Sequence, residues 1–220
     1  MTAIVTGAGR GFGRAIATAL TATGRHVVGV SRTRAADAPY ETVTADAADP
    51  DVAAALIQQH RPRVLVPNAG VVPAMGPVDA LSWAEFERNW QVDTRHVFEW
   101  TKAALRLPLE PGSIVVAMSS GAALRGSPVS GGYAGAKAAI RFIATYGADE
   151  SRRELGLRFA TVMPPLTPAT ELGRAGVAGY AARNGTEPDY RVTLTAEQVA
   201  QHVLGVIEGS EAYTEGVVTG

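Results

Sequence analysis

The chain has 220 residues, 46% hydrophobic and 19% charged, which is the composition of an ordinary globular domain with one sizeable core. Its formal net charge is −1, with arginine scattered among the acids, so there is no basic stripe for a nucleic-acid partner; the absence of cysteine excludes disulfides, thiolate catalysis and cysteine-held zinc. A glycine turn arrives by residue 7, too early for a signal peptide, and no apolar run could span a bilayer, so a soluble cytoplasmic protein without a membrane partner is expected.

Short β-branched runs alternate with Ala-rich stretches of helical length. In chain order the strands are "AIVT" (3–6), "HVVGV" (26–30), "ETVTA" (41–45), "RVLVP" (63–67), "SIVVAM" (113–118), "RFATVM" (158–163) and "GVVT" (216–219). Helices are predicted over 12–22, 50–59, 82–106, 133–154 and 195–208. Several strands are continuously apolar, as strands buried on both faces are, so the pattern predicts an α/β fold with a parallel, doubly wound sheet and helices on both faces. Right-handed crossovers then put all strand carboxyl ends on one edge, where ligands bind in such sheets. Residues 166–192 read as a loop-like insertion, a short substrate lobe within a single domain of residues 1–220.

The first strand runs directly into "TGAGRGFGRAIATAL". Gly7, Gly11 and Gly13, with Arg10 and Phe12 between them, let the backbone turn sharply and approach a pyrophosphate at the positive end of the following helix. At the end of the second strand, where an acid would receive the ribose hydroxyls of NAD, the chain reads "GVSRTR" and has no acid before Asp37. Arg32, with Arg34 two residues on, and Arg10 in the glycine turn suit a phosphorylated ribose, which points to NADP over NAD.

Further along, "GGYAGAKAAIRF" places Tyr133 and Lys137 four residues apart, on one face of a helix. Only two of the 20 basic residues are lysine, Lys102 and Lys137. Lysine differs from arginine in that burial and neighbouring charges can move its pKa, which gives this choice a chemical meaning.

Taken together, "TGAGRGFG", "LVPNAG", "SIVVAMSSGAA" and "YAGAK" resemble the short-chain dehydrogenase/reductase family, in its shorter TGxxxGxG type, in order and along essentially the whole chain. The resemblance implies a Rossmann fold, a nicotinamide cofactor and reversible hydride transfer between a carbonyl and an alcohol. It makes Tyr133 the acid/base, Lys137 its partner and holder of the nicotinamide ribose, and Ser120, 13 positions before Tyr133, the group that holds the substrate oxygen. Ser119 is one residue off and would point the other way. Asp46 and Ala47 resemble the adenine-contacting pair, and Asn68, Ala69 and Gly70 the turn supporting the cofactor. The family also implies a homodimer or homotetramer through the long helix and the Tyr133 helix. A non-catalytic NADP-binding sensor or scaffold of the same fold is the alternative.

Two positions depart from the family pattern. Pro164 and Pro165 stand where Pro-Gly is usual, so Thr167 or Thr170 becomes the candidate hydroxyl near the cofactor. Asp93 replaces an asparagine whose carbonyl is credited with a water relay to the lysine; a buried carboxylate must pair or protonate, and Lys137 is its candidate partner. The segment after Arg32 is too short and broken for the usual helix. The four histidines, His26, His60, His96 and His202, show no ligand spacing with acids, so no metal site is expected. Val71, Val72, Met75, Leu124, Arg125, Ser130 and residues 166–190 are expected to border the pocket for a small carbonyl or alcohol substrate.

Overall fold

Six strands form one parallel sheet in the computed structural model, which describes residues 1–107 and 109–210. They are β1 (Thr2–Thr6), β2 (His26–Ser31), β3 (Glu41–Thr44), β4 (Val64–Val66), β5 (Ile114–Met118) and β6 (Arg158–Val162), in the order β3-β2-β1-β4-β5-β6. This is the Rossmann order, with its reversal between β1 and β4. The strand expected at "GVVT" lies outside the described residues.

Among the described residues, eight α-helices accompany the strands: α1 (Gly11–Ala22), α2 (Pro50–His60), α3 (Trp83–Asn89), α4 (Arg95–Arg106), α5 (Ala122–Arg125), α6 (Gly131–Glu154), α7 (Glu171–Asn184) and α8 (Ala196–Glu208). Strand alternation sorts the core into two layers. Ala3, Val5, Val27, Val64, Val66, Ile114, Val116 and Val162 pack under α1 and α8 with Ile16, Leu20, Val199 and Val203. On the other face Ile4, Val28, Val30, Leu65 and Val115 meet Ala53, Leu56 and Ile57 of α2 and Trp100 of α4. No helix among the described residues is long and apolar enough to cross a membrane.

Two local differences from the sequence expectations have physical causes. The helix expected over 82–106 starts with a Ser82–Glu85 capping box, but is interrupted by a π turn over Trp90–Thr94. The segment expected to be a loop contains α7, whose glycines Gly173, Gly176 and Gly179 lower its helix propensity. A Cβ on Gly176 or Gly179 would meet Leu166 or Met75 at 2.8 and 3.3 Å, so these glycines permit close packing, and Thr170 caps the helix by accepting from Gly173 N at 3.0 Å. Between β2 and β3 there is no helix, as expected, and Tyr40 fills the space: its ring lies against Gly29 and its hydroxyl donates to Ala8 O at 2.7 Å, bracing the glycine turn.

Thr6, at the carboxyl end of β1, ties the switch point together. Its buried Oγ1 accepts from Asn68 N at 2.9 Å and Ala69 N at 3.0 Å, and lies 2.9 Å from His96 Nε2 on α4. With both lone pairs taken, the threonine hydroxyl donates to His96 Nε2, which fixes the imidazole proton on Nδ1. Thr6→Val, isosteric but without an acceptor, is expected to lower unfolding free energy by about 1–3 kcal/mol, checked by urea denaturation.

Candidate active site

The carboxyl ends of the strands open into a cleft of about 1360 Å³, larger than a typical small-ligand pocket and roomy enough for a dinucleotide beside a substrate. Its floor at one end is the glycine turn. Gly7 has φ of 66°, and a Cβ there would sit 2.8 Å from Asn68 Nδ2; a Cβ on Gly13 would strike the Gly7 carbonyl. These positions keep the turn flat against the sheet. Helix α1 begins at Gly11 with no side-chain cap and no acid in its first turn, so its N–H groups and positive dipole end are free for an anion. The residues present therefore fit a pyrophosphate.

Around that cradle the cleft is lined by Arg10, Phe12, Arg32, Asp46, Ala47, Asn68, Ala69 and Gly70, all assigned from the sequence to cofactor contacts. Arg34 is separated from them and borders a smaller recess with Asp37 and Tyr40. Arg32 is exposed at the cleft, whereas Arg10 forms an ion pair with Glu171 at the start of α7. Asp46 Oδ1 accepts from Ala48 N at 2.9 Å, and the Ala47 carbonyl receives the Trp100 indole N–H at 2.9 Å. Pro164, Pro165, Thr167 and Thr170 line the far wall. The Thr167 hydroxyl donates to Leu194 O at 2.6 Å and that of Thr170 caps α7, so both are already engaged.

At the centre of the cleft stand Ser120, Tyr133 and Lys137. Tyr133 and Lys137 leave one face of α6 and are both buried, and the Lys137 Nζ lies 5.6 Å from the centre of the Tyr133 ring. Ser120, beyond the end of β5, lines the same cleft, and its Oγ accepts from Ala122 N at 3.2 Å. Ser119 is buried and donates to the Lys137 backbone carbonyl at 2.8 Å, holding α6 to β5. The two adjacent serines therefore have different jobs, in the sense that the alternation along the chain predicts.

Asp93 lies in the π turn and is fully enclosed. Its Oδ1 accepts from Val71 N at 3.0 Å and its Oδ2 is 3.3 Å from Lys137 Nζ; Nζ also donates to Met118 O at 3.2 Å. Asn89, also buried, donates through Nδ2 to Val71 O at 3.0 Å. The expected pairing of Asp93 with Lys137 is present. Burial alone would pull the Lys137 pKa down, but the Asp93 carboxylate, the neighbouring phenol and the hydrogen bond to Asp93 outweigh it and raise it. Burial pushes the Tyr133 phenol up, the Lys137 charge and the Ser120 hydrogen bond oppose this, and Asp93 pushes it up again; the net direction is upward. Burial and the Lys137 ammonium together hold His96 down to a pKa of about 3, so its ring is neutral.

The short chain dehydrogenase family model matches residues 1–179. The chain belongs to the short-chain dehydrogenase family. A versicolorin reductase of Emericella nidulans is 36% identical over 156 residues, 63% of this chain and 58% of the relative, so the chain spans less than two thirds of that relative's length. A short chain dehydrogenase from Burkholderia cenocepacia J2315, solved in complex with NADP, superposes with a TM-score of 0.81 at 28% identity, covering 99% of this chain and 96% of the other. A 3-ketoacyl-(acyl-carrier-protein) reductase from Brucella melitensis, solved with NADH, also has a TM-score of 0.81, at 22% identity and with the same coverages.

Within this short-chain dehydrogenase, sequence reasoning missed the parts that position the site. Thr6, His96, Asn89, Tyr40 and Glu171 act by meeting residues far away in the chain. Only His96 carried a visible signal, standing three residues after Asp93 on the same helical face.

Proposed function

We propose that this short-chain dehydrogenase is an NADP-dependent oxidoreductase that interconverts a carbonyl and an alcohol on a small molecule, with Tyr133 as acid/base. The observation that carries this reading is the buried Tyr133 phenol, sharing one cleft with Ser120 and lying beside the Lys137 ammonium, in a cleft with an open helix N-terminus. When bound, the nicotinamide supplies or accepts hydride. Gly11, Gly13 and the α1 N–H groups would hold its pyrophosphate, Arg32 and Arg10 the phosphorylated ribose, and Lys137 the nicotinamide ribose. Negative charge developing on a substrate carbonyl oxygen is met by the Ser120 hydroxyl, and the Tyr133 O–H delivers the proton.

The electrostatics support reduction at neutral pH. A phenol above its ordinary range stays protonated, ready to donate; the reverse reaction needs phenolate, so alcohol oxidation rises toward alkaline pH. The wall formed by Val71, Val72, Met75, Leu124 and Leu166 is apolar, while Ser127, Ser130 and Tyr180 form a hydroxyl chain, with Ser130 Oγ to Ser127 Oγ at 2.7 Å and Tyr180 Oη to Ser127 Oγ at 3.0 Å. Such a wall suits a neutral substrate carrying both apolar and hydroxyl groups. Exposed Phe98 on α4 and stacked, exposed Phe142 and Tyr146 on α6 support self-association through these helices, as a homodimer or homotetramer.

Tyr133→Phe is expected to leave NADPH binding nearly intact while turnover falls by at least about a hundredfold, the lower range for loss of a general acid. A carbonyl panel followed at the NADPH absorbance, with a parallel binding titration, checks this; full activity in the variant would refute the assignment. NADPH is expected to bind more tightly than NADH, and Arg32→Asp to erase or reverse that preference. Equal dissociation constants in the native protein would defeat the reading. Asp93→Asn removes a charge that raises both Tyr133 and Lys137, so the rising limb of alcohol oxidation should move to lower pH, with activity preserved or increased. An unchanged pH profile would show that Asp93 does not tune the proton transfer.

A further inference from the structure

At the opposite edge of the sheet the fold gathers a second group of chemistry-bearing side chains. His26 opens β2 and Glu41 opens β3; the register pairs Glu41 with Val28, two residues after His26, so both side chains project on the face covered by α2. Helix α2 returns along that face antiparallel to the strands and ends there at His60. His26 Nε2 is 2.9 Å from Glu41 Oε2, and the His26 and His60 rings are 6.1 Å apart. Each of the three residues offers one ligand atom, and these atoms all lie within 4.8 Å of one another. His60 Nε2 is shut off from solvent and has no hydrogen-bond partner. An enclosed imidazole nitrogen left in that state is costly unless something engages it.

We propose that His26, Glu41 and His60 form a binding site for a borderline transition-metal cation, with Zn²⁺ the best fit and Co²⁺ an acceptable substitute. Two imidazole nitrogens and one carboxylate oxygen are a zinc donor set; Mg²⁺ and Ca²⁺ prefer oxygen alone. Zinc–ligand bonds of about 2.0–2.1 Å in a tetrahedron put donor atoms roughly 3.3–3.4 Å apart. The 2.9 Å contact and the 4.8 Å outer limit bracket that separation, so small side-chain rotations close the site. The side chains of His26 and Glu41 are 54% and 43% exposed, leaving the remaining coordination position to water. The carbonyl end of α2 adds a favourable negative potential. A cation here joins the edge strand β3, its neighbour β2 and the end of α2. It stabilises the half of the sheet whose other end carries Arg32 and Asp46, without touching the reacting groups.

The test uses the full chain without any histidine tag, stripped of metal by a chelator and then dialysed free of it. Titration with ZnCl₂ by calorimetry should show one saturable site per chain, and added Zn²⁺, but not Mg²⁺, should raise the melting temperature. Co²⁺ should give the visible absorption of a low-coordinate nitrogen and oxygen site. His26→Ala and His60→Ala should each weaken Zn²⁺ binding by at least about tenfold, the lower end of the cost of losing even an outer-sphere partner. Both should abolish the thermal shift while keeping a native far-ultraviolet spectrum without metal. Should a histidine variant not fold, Glu41→Gln, on the exposed side of the cluster, must show the same weakening. Absence of saturable Zn²⁺ binding to the native chain, or binding undiminished by these substitutions, would overturn the proposal.

Discussion

The candidate active site is organised around one buried positive charge. The Lys137 side chain is only 7% exposed, and an ammonium so enclosed requires compensation, because its desolvation costs several kcal/mol. Three groups provide it: the Asp93 carboxylate, the Met118 carbonyl and the electron-rich Tyr133 ring. The first of these explains the backbone around it. A straight α-helix through residues 90–94 would present Asp93 differently; the π turn widens the helix where its carboxylate must reach both Lys137 Nζ and Val71 N. Asn89 closes the arrangement by binding the carbonyl of Val71, so both polar groups of that peptide are held. The strand-end loop that borders the substrate space is thus fixed by the same groups that neutralise the lysine.

A second chain of contacts connects this charge to the cofactor cradle. His96, one turn beyond Asp93, is neutral because it is buried and lies near Lys137, and a neutral ring can accept the Thr6 hydroxyl. Thr6 in turn holds Asn68 and Ala69, while Asn68 Nδ2 donates to Thr6 O at 3.0 Å beside the glycine turn. Were His96 protonated, both ring nitrogens would be donors and the threonine could no longer satisfy the two amides and the ring together. Charge at Lys137 and geometry at Gly7 are coupled through ordinary hydrogen-bond bookkeeping. On the outer side, the Arg10–Glu171 ion pair links the glycine turn to α7, so one arginine stands between the cofactor cradle and the wall of the substrate space. Both partners are largely exposed, so this pair contributes orientation more than stability.

The sheet, its parallel sense and the position of the cleft were legible because buried strands leave continuous apolar runs and glycine leaves a sharp mark. That Ser120, Tyr133 and Lys137 share one cleft was legible because a family pattern groups the three and the helix period puts two of them on one face, while Asp93 stood out as a departure from that pattern. What escaped was of two kinds. Helix α7 was obscured because its three glycines lower helix propensity, although they serve close approach to Thr167, Leu166 and Met75. Thr6, Tyr40, His96 and Glu171 were invisible because their meaning lies in contacts across 32 to 161 positions, from Tyr40 with Ala8 to Arg10 with Glu171. The meeting of His26 with Glu41 was invisible for the same reason: they are 15 positions apart and come together only when β2 and β3 pair.

The substitution of Asp93 for the family's usual asparagine has a consistent physical meaning in this setting. An asparagine could accept from Val71 N but would bring no negative charge beside Lys137 or Tyr133, removing one cause that raises both. The carboxylate, 3.3 Å from Nζ, favours the charged ammonium. The cost falls on Tyr133, since a second negative charge nearby disfavours phenolate. A site built this way holds its proton donor loaded and its lysine charged over the same pH range. With Tyr133 in the acid/base role proposed above, that combination would serve proton delivery to a carbonyl better than proton removal from an alcohol, and one side chain of the π turn would set that bias.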